Sequence, residues 1–402
     1  MAALHPLENP LRRYDWGSPT RIPALLGLPA DGRPVAELWL GAHRSAPSTS
    51  AGVPLHEIVR ADPVGVLGER VADRFGPRLP YLLKVLAADR SLSLQVHPRP
   101  HLARAGFHRE NRLGIPAGSP ERSFHDDQHK PEMVVALTEF EGLAGFRTPR
   151  SALALLDGLE GPIVDAVRAE LRADRSERGV RAAFRTLLAS RDSTSCPESV
   201  EKAVADVRAR LGPGSPSQRA DATVLALAQE HPGDPGVIAS LLLNRVTLDP
   251  GDALFLPPGE VHAYLGGTAV EVMASSDNVL RAGLTSKHVD VEALLECASF
   301  APRRPATPEI TTTGTRGHVT TYRAPVPEFA LTVADVDPSG PVDLPDAGPR
   351  IVLCLDGAVT LTAEHCDTGP ADLPRGSSVF VPHDAGSLAV AGSGHVVCAW
   401  VP

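Results

Sequence analysis

From Ser91 to His97 the chain alternates, with Leu92, Leu94 and Val96 at one set of positions and Ser93, Gln95 and His97 at the other. Successive side chains of a strand point to opposite faces, so this spacing predicts a strand that aims Gln95 and His97 the same way. A neutral amide oxygen and an imidazole nitrogen directed at one point can hold a divalent cation, but two ligands do not complete a site. Two further candidates stand downstream. His129-Lys130-Pro131-Glu132 opens the apolar run Met133 to Leu137, and Pro257-Pro258-Gly259-Glu260-Val261-His262 follows the apolar Ala253 to Leu256. Gln95, His97, Glu132 and His262 together make a set of two nitrogens and two oxygens. Such a set suits one Zn²⁺ with a position left for water or a substrate oxygen.

Each of these residues has a plainer reading when taken alone. His97 is one of fifteen histidines, and Glu132 by itself is a strand carboxylate facing solvent. Glu132 follows Lys130-Pro131 at a strand start, where proline is tolerated, which favours a ligand. Arg281 is the only arginine between Arg245 and Arg303 in a chain otherwise dense with them. It reads either as a salt-bridged structural residue or as a donor of paired hydrogen bonds in an active site. Glu271 is a lone acid in the apolar run Ala269 to Met273. A buried carboxylate there pairs with a cation or has its pKa raised, and it serves proton transfer or a metal-bound histidine. Lys84 sits in a similar apolar strand and reads equally well as a buried structural pair.

The strings SLSLQVHP, HKPEM, GEVHAY and ASSDNVLRAGLTSK, in this order and at these separations, resemble type I mannose-6-phosphate isomerases, a cupin-like family. Tyr14-Asp15-Trp16-Gly17-Ser18 and Glu37-Leu38-Trp39-Leu40-Gly41-Ala42-His43 match family strings as well. The resemblance runs from about residue 10 to about residue 295 and is weakest over the last hundred residues. It implies zinc held by Gln95, His97, Glu132 and His262, with Arg281 catalytic. It also implies reversible interconversion of mannose 6-phosphate and fructose 6-phosphate through a metal-stabilised enediolate. Glu271, and after it Lys130, are the candidates for moving the proton; Lys84, Lys287 and Ser93 are the candidates for holding the sugar phosphate. Two alternatives stay open: an isomerase for another sugar phosphate, and a metal-binding cupin sugar sensor without turnover.

Composition bounds the partners. A net charge of −9 disfavours nucleic acid or an anionic membrane surface. The substrate expected is a small phosphorylated sugar, which calls for a local positive cluster. Only four residues of the chain are lysines, against 35 arginines, and Lys84, Lys130 and Lys287 fall in or near the motifs. No apolar stretch reaches the length of a membrane span, and Met1 to Arg13 does not read as a signal peptide. Five scattered cysteines without a C-x-x-C spacing point to a reducing cytoplasm rather than a disulfide framework.

The elements that must position these residues read as mainly β, as two cupin-like jelly rolls with an α-helical insertion. Short apolar strands between Gly/Pro-rich turns predict a catalytic β domain over 1–150 and 235–300. His101 to Gln128 shows no clear period and reads as a functional loop. Helical spacing at Leu153, Leu156, Val164, Val167, Val200, Val204 and Val207 predicts a helical insertion over 151–234. A Pro/Thr-rich stretch over 301–316 reads as a linker to a C-terminal β domain, 317–402. Gly251 to Pro257 lines up with Gly376 to Pro382, which sets Ser387 opposite His262. The C-terminal domain is therefore expected to carry no metal.

Overall fold

The structure is a computed structural model that describes residues 3–314 and 318–402. Met1 and Ala2, residues 315 and 316 of the expected linker, and residue 317, the first of the expected C-terminal domain, lie outside the described residues. The chain begins with β1 (His5–Pro6), β2 (Leu11–Arg12), α1 (Arg21–Leu25) and β3 (Glu37–Gly41). A hairpin of β4 (Thr49–Ser50) and β5 (Val53–Pro54) leads into α2 (Leu55–Ala61), α3 (Pro63–Leu67) and α4 (Glu69–Phe75). Next come β6 (Tyr81–Ala88), β7 (Leu94–Val96), α5 (Pro100–Arg112), β8 (Glu132–Ala136) and β9 (Phe140–Phe146). The helical region holds α6 (Pro149–Leu156), α7 (Pro162–Ala173), α8 (Glu177–Ser190), α9 (Cys196–Arg210), α10 (Gln218–Glu230) and α11 (Gly236–Ala239). β10 (Leu243–Leu248), β11 (Ala253–Leu256), β12 (His262–Ala274), β13 (Leu280–Gly283) and α12 (Val291–Cys297) follow. The last part holds β14 (Glu309–Thr313), β15 (Val319–Arg323), β16 (Ala330–Val336), β17 (Val342–Leu344), β18 (Arg350–Ala363), β19 (Ala371–Pro374), β20 (Ser378–Val381) and β21 (Leu388–Trp400).

These strands make a mainly β protein with two large antiparallel sheets. The first has ten strands, with β10-β9-β12-β6-β3-β2 in order and β7, β8, β11 and β13 joined to it; the second has nine, in the order β1-β20-β18-β21-β16-β15-β14 with β17 and β19 attached. Alternation along β6 and β12 decides what each face does. Lys84 and Glu271 are direct partners across the two strands, and Trp39 pairs Lys84 from β3. Their neighbours Val85 and Val270 point the other way and join Leu38, Leu331, Ile351, Phe380 and Val397 in a core between the two sheets. Each such buried side chain contributes roughly 1.5–3 kcal/mol. The helices bury Leu156, Val164, Val167, Val200 and Val207 in a core shared with Leu94, Val96 and Phe146 of the first sheet. Among the described residues no helix is long and apolar enough to cross a membrane.

The repeat read from sequence has a structural counterpart. Gly251 and Gly376 both take positive φ, +90° and +83°, at the turns before β11 and β20, and a 13-residue strand follows each motif. Four expectations need correction. The strand expected from Ser91 to His97 is regular only over Leu94–Val96. The loop expected from His101 to Gln128 begins with the 13-residue helix α5, started by Pro100. Its buried positions are Ala103, Gly106 and Glu110, so no apolar stripe announces it. Gly106 lies against the Phe124 ring, which a Cβ would meet at 2.5 Å, and the Glu110 carboxylate accepts from the Ser123 and Phe124 amides at 3.0 and 2.9 Å. The first 150 residues also contain the short helices α1 to α4, not strands and turns alone. Finally, the expected linker includes β14, which pairs with β15 from Glu309 to Thr313, and β1 at the far N-terminus belongs to the second sheet.

Candidate metal and substrate site

His97, Glu132 and His262 come from the residue after β7, the start of β8 and the start of β12, yet their ligand atoms all lie within 4.8 Å of one another. The His97 Nε2–Glu132 Oε1 distance is 3.2 Å and the His262 Nε2–Glu132 Oε2 distance is 3.4 Å. Two ligand atoms on one tetrahedral zinc stand roughly 3.3 Å apart, since each is about 2.0–2.1 Å from the ion. Both imidazoles are turned for this by their other nitrogen. His97 Nδ1 donates to the Asn278 carbonyl at 2.6 Å, and His262 Nδ1 donates to the Glu260 carbonyl at 2.9 Å. Each Nε2 lone pair therefore faces the common point. His97 Nε2 and Glu132 Oε2 are buried without a hydrogen-bond partner. Orphaned buried polar atoms are costly, and a cation between them removes the cost. The donor set thus fits a zinc ion.

Gln95 lies beside these three residues. Its Nε2 lies 3.2 Å from His262 Nε2, and a half-turn of the carboxamide brings Oε1 to the same place. Register also fixes Arg281 here. Gln95 is the direct partner of His262 on one side and of Arg281 on the other, so the three share one face across β12, β7 and β13. Arg281 is half-buried, and burial pulls its guanidinium below the ordinary arginine range.

The electrostatics follow from burial. It drives the His97 imidazole down to about 4 despite the neighbouring Glu132 carboxylate, so the ring is neutral and ready to ligate. Burial works against the Glu132 carboxylate, but the Lys130 ammonium beside it helps hold it well below the usual range. Lys130 Nζ is 3.1 Å from Glu132 Oε1. Deeper along the same face, Lys84 Nζ lies 3.1 Å from Glu271 and 3.6 Å from Glu37. Burial alone would lower that ammonium; Glu37, Glu271 and Glu132 instead raise it above its ordinary value. Burial likewise pushes the Glu271 carboxyl up against the pull of Lys84, and Tyr264 Oη donates to Glu271 Oε1 at 2.9 Å. Lys84 therefore has a buried partnership of the kind its apolar strand allowed.

The structure brings together Gln95, His97, Glu132, His262, Lys130 and Arg281, with Lys84 and Glu271 on the adjoining strands. Lys287 stays exposed near Arg281, whose charge lowers it after burial does, and Ser93 is half-buried. Sequence reasoning missed Glu37, Tyr264, Trp39 and Asp126. The first three sit inside motifs already singled out, and Asp126 stands in the polar run before His129 with nothing to distinguish it. A cavity of about 480 Å³ adjoins the site, with His43, His129 and Asp277 in its wall. His43 Nε2 is 3.4 Å from Asp277, and its ring meets Trp39 edge-on at 5.1 Å.

Comparison with known proteins agrees with this geometry. A family model described as the catalytic domain of phosphomannose isomerase type I matches residues 4–149. Mannose-6-phosphate isomerase of Escherichia coli (strain K12) is 36% identical over 398 residues, covering 97% of each chain. The enzyme of that name from Rattus norvegicus is 32% identical over 409 residues, covering 94% of this chain and 92% of its own. A zinc-bound crystal structure of mannose 6-phosphate isomerase superposes with a TM-score of 0.87 at 33% identity over 99% of both chains. The apo form from Salmonella typhimurium gives 0.86 at 32% identity over 100% of both. On identity over nearly the whole chain and a shared fold, the chain belongs to the type I mannose-6-phosphate isomerase family.

Proposed function

We propose that this chain reversibly interconverts mannose 6-phosphate and fructose 6-phosphate, with one zinc ion held by Gln95, His97, Glu132 and His262. The observation that carries the reading is the convergence of buried ligand atoms from His97, Glu132 and His262, those of His97 and Glu132 without a hydrogen-bond partner, beside Arg281. Zinc bound there supplies Lewis-acid polarisation of the sugar's carbonyl oxygen. Arg281 directs its planar donors at the oxygens on C1 and C2 and stabilises the charge of the enediolate as it develops. Glu271, raised by burial and held between Lys84 and Tyr264, takes the proton from one carbon and returns it to the other. Lys130, tied to Glu132, is the second candidate for that transfer. Lys287 and Ser93 serve the phosphate end of the sugar. Lys84 was expected at the phosphate too; with Glu37 and Glu271 already on its ammonium, we assign it to holding Glu271.

The same reading extends to architecture and place. We propose a catalytic cupin-like jelly roll over 1–150 and 235–300, a helical insertion over 151–234, and a second, metal-free jelly roll over 317–402. The matched Gly-to-Pro motifs before β12 and β21 support it. The workplace proposed is the cytoplasm, in keeping with five free cysteines. The test is an assay coupled to fructose 6-phosphate formation, run beside elemental analysis. The expected result is about one zinc per chain, with activity lost on chelation and restored by zinc. Active protein without a first-row metal, or zinc-loaded protein without turnover, would sink the reading.

A further inference from the structure

Arg12 has no part in the chemistry above, and its placement is unusual for an arginine of this chain. Three other half-buried arginines face carboxylates, Arg191 meeting Asp234, Arg210 meeting Asp221 and Arg245 meeting Glu141, whereas Arg147 and Arg281, like Arg12, make no ion pair among the described residues. Among the described residues Arg12 makes no ion pair. It is held by two aromatic rings instead, with Cζ 5.1 Å from the Trp39 ring centroid and 5.7 Å from that of Tyr14. Its one side-chain hydrogen bond runs from Nε to Tyr14 Oη at 3.3 Å. The four N–H donors on its two Nη atoms are therefore unclaimed.

Register says where those donors lie. Arg12 is the direct partner of Glu37 across β2 and β3, and directly opposed residues share a face. The Glu37 face is the one that carries Trp39, Lys84 and Glu271. Arg12 thus ends the inward-facing charged row on the outermost strand of the first sheet. Glu37 does not neutralise it, because Glu37 Oε2 accepts from Trp39 Nε1 at 2.7 Å and Oε1 faces Lys84. Trp39 has two cations at its ring: Lys84 Nζ lies 5.2 Å from the same ring centroid. Lys84 is matched by carboxylates, and Arg12 is left without one.

We propose that Arg12 receives the phosphate group of the sugar phosphate, an inference that rests on the isomerase reading. A guanidinium held against two rings and by the Tyr14 hydroxyl keeps its planar fork in one orientation, and that fork matches two oxygens of a phosphate monoester. The aromatic clamp holds the cation without spending its Nη donors. Phosphate contacts are present equally in ground and transition states, so their loss weakens binding more than turnover.

The experiment compares wild type, Arg12→Gln and Arg12→Lys by steady-state kinetics, competitive inhibition by inorganic phosphate, and zinc content. Arg12→Gln should raise KM for mannose 6-phosphate on the order of 10- to 100-fold, weaken phosphate inhibition in parallel, and hold kcat and zinc near wild type. Arg12→Lys keeps the charge and loses the fork, so its KM should fall between the two. Unchanged KM and phosphate inhibition in Arg12→Gln would overturn the assignment. So would a fall in kcat at constant KM, or zinc loss or misfolding in both variants. Calorimetric titration with mannose 6-phosphate separates the two levels. A wild-type chain that neither binds nor converts the sugar overturns the isomerase reading and this one together, whereas an active wild type with an indifferent Arg12→Gln overturns Arg12 alone.

Discussion

His97 Nδ1 donates to the backbone carbonyl of Asn278 at 2.6 Å, across 181 residues of sequence. That bond fixes the tautomer and tilt of the ring, and with them the direction of Nε2. The carbonyl is itself held in place. The Asn278 side chain accepts from the His125 amide at 2.7 Å and donates to the Asp126 and Gln128 carbonyls, each at 2.8 Å. The Asp126 carboxylate accepts from Ser276 Oγ at 2.9 Å and the Asp277 amide at 2.8 Å. One side chain in the loop after α5 thus sets the aim of a ligand on the other side of the site.

Asp126→Ala should weaken zinc binding on the order of 10- to 100-fold, as loss of a residue that orients a ligand does. Competition with a chromophoric chelator measures this independently of turnover. Wild-type affinity in the folded variant would show that Asn278 keeps its position without Asp126.

Arg281→Lys should lower kcat on the order of 10²–10³-fold with little change in KM, because lysine keeps the charge and loses the paired planar donors. Zinc content should stay at the wild-type level. A rise in KM at constant kcat would move Arg281 to the phosphate, and normal values for both constants would remove it from the reaction.

The five thiols should divide sharply by reactivity. Burial pushes Cys297 and Cys398 up to about 12, and it raises Cys196 and Cys354 as well. Burial also opposes ionisation of Cys366, but the Thr368 hydroxyl 3.0 Å away and nearby backbone groups bring that thiol below its ordinary value. The thiolate is the reactive form, so Cys366 loses reactivity only as pH falls through its lowered pKa, while the buried four stay protonated through neutral pH. Titration of the native protein with a disulfide reagent near pH 7 should consume one equivalent, with the others appearing on denaturation. Two or more fast equivalents would contradict the burial described.

Ser387→Ala should leave kcat/KM unchanged and shift stability by less than about 0.5 kcal/mol. Ser387 stands where His262 does in the first motif, but its hydroxyl only donates to Glu364 at the surface, at 2.8 Å. A large loss of activity in the folded variant would mean that the second sheet reaches the site.

Periodicity revealed what depends on neighbours in sequence. The alternation around Gln95, the proline before Glu132 and the apolar spacing from Leu153 to Val207 each report a local choice of strand or helix. What stayed hidden depends on distant partners or on the backbone. Asn278 orients His97 through a carbonyl, which any residue type carries. The burial of α5 runs through a glycine and a glutamate that satisfies amides 13 and 14 residues away, a pattern with no hydrophobic signature. Lys84 was recognisable as a lysine in an apolar strand, but only strand register told that Glu271 and Trp39 are its direct partners.

The short strands at the N-terminus bear on the order in which the molecule can be completed. His5 and Pro6 pair with Phe380 and Val379, while Leu11 and Arg12 pair with Leu38 and Glu37. The chain is synthesised from the N-terminus, so β2 finds its partner early, whereas β1 waits until nearly the whole polypeptide has emerged. Contacts of such long separation close late and slowly. Until then β1 is an unpaired extended segment, open to proteases and to the strands of other nascent chains.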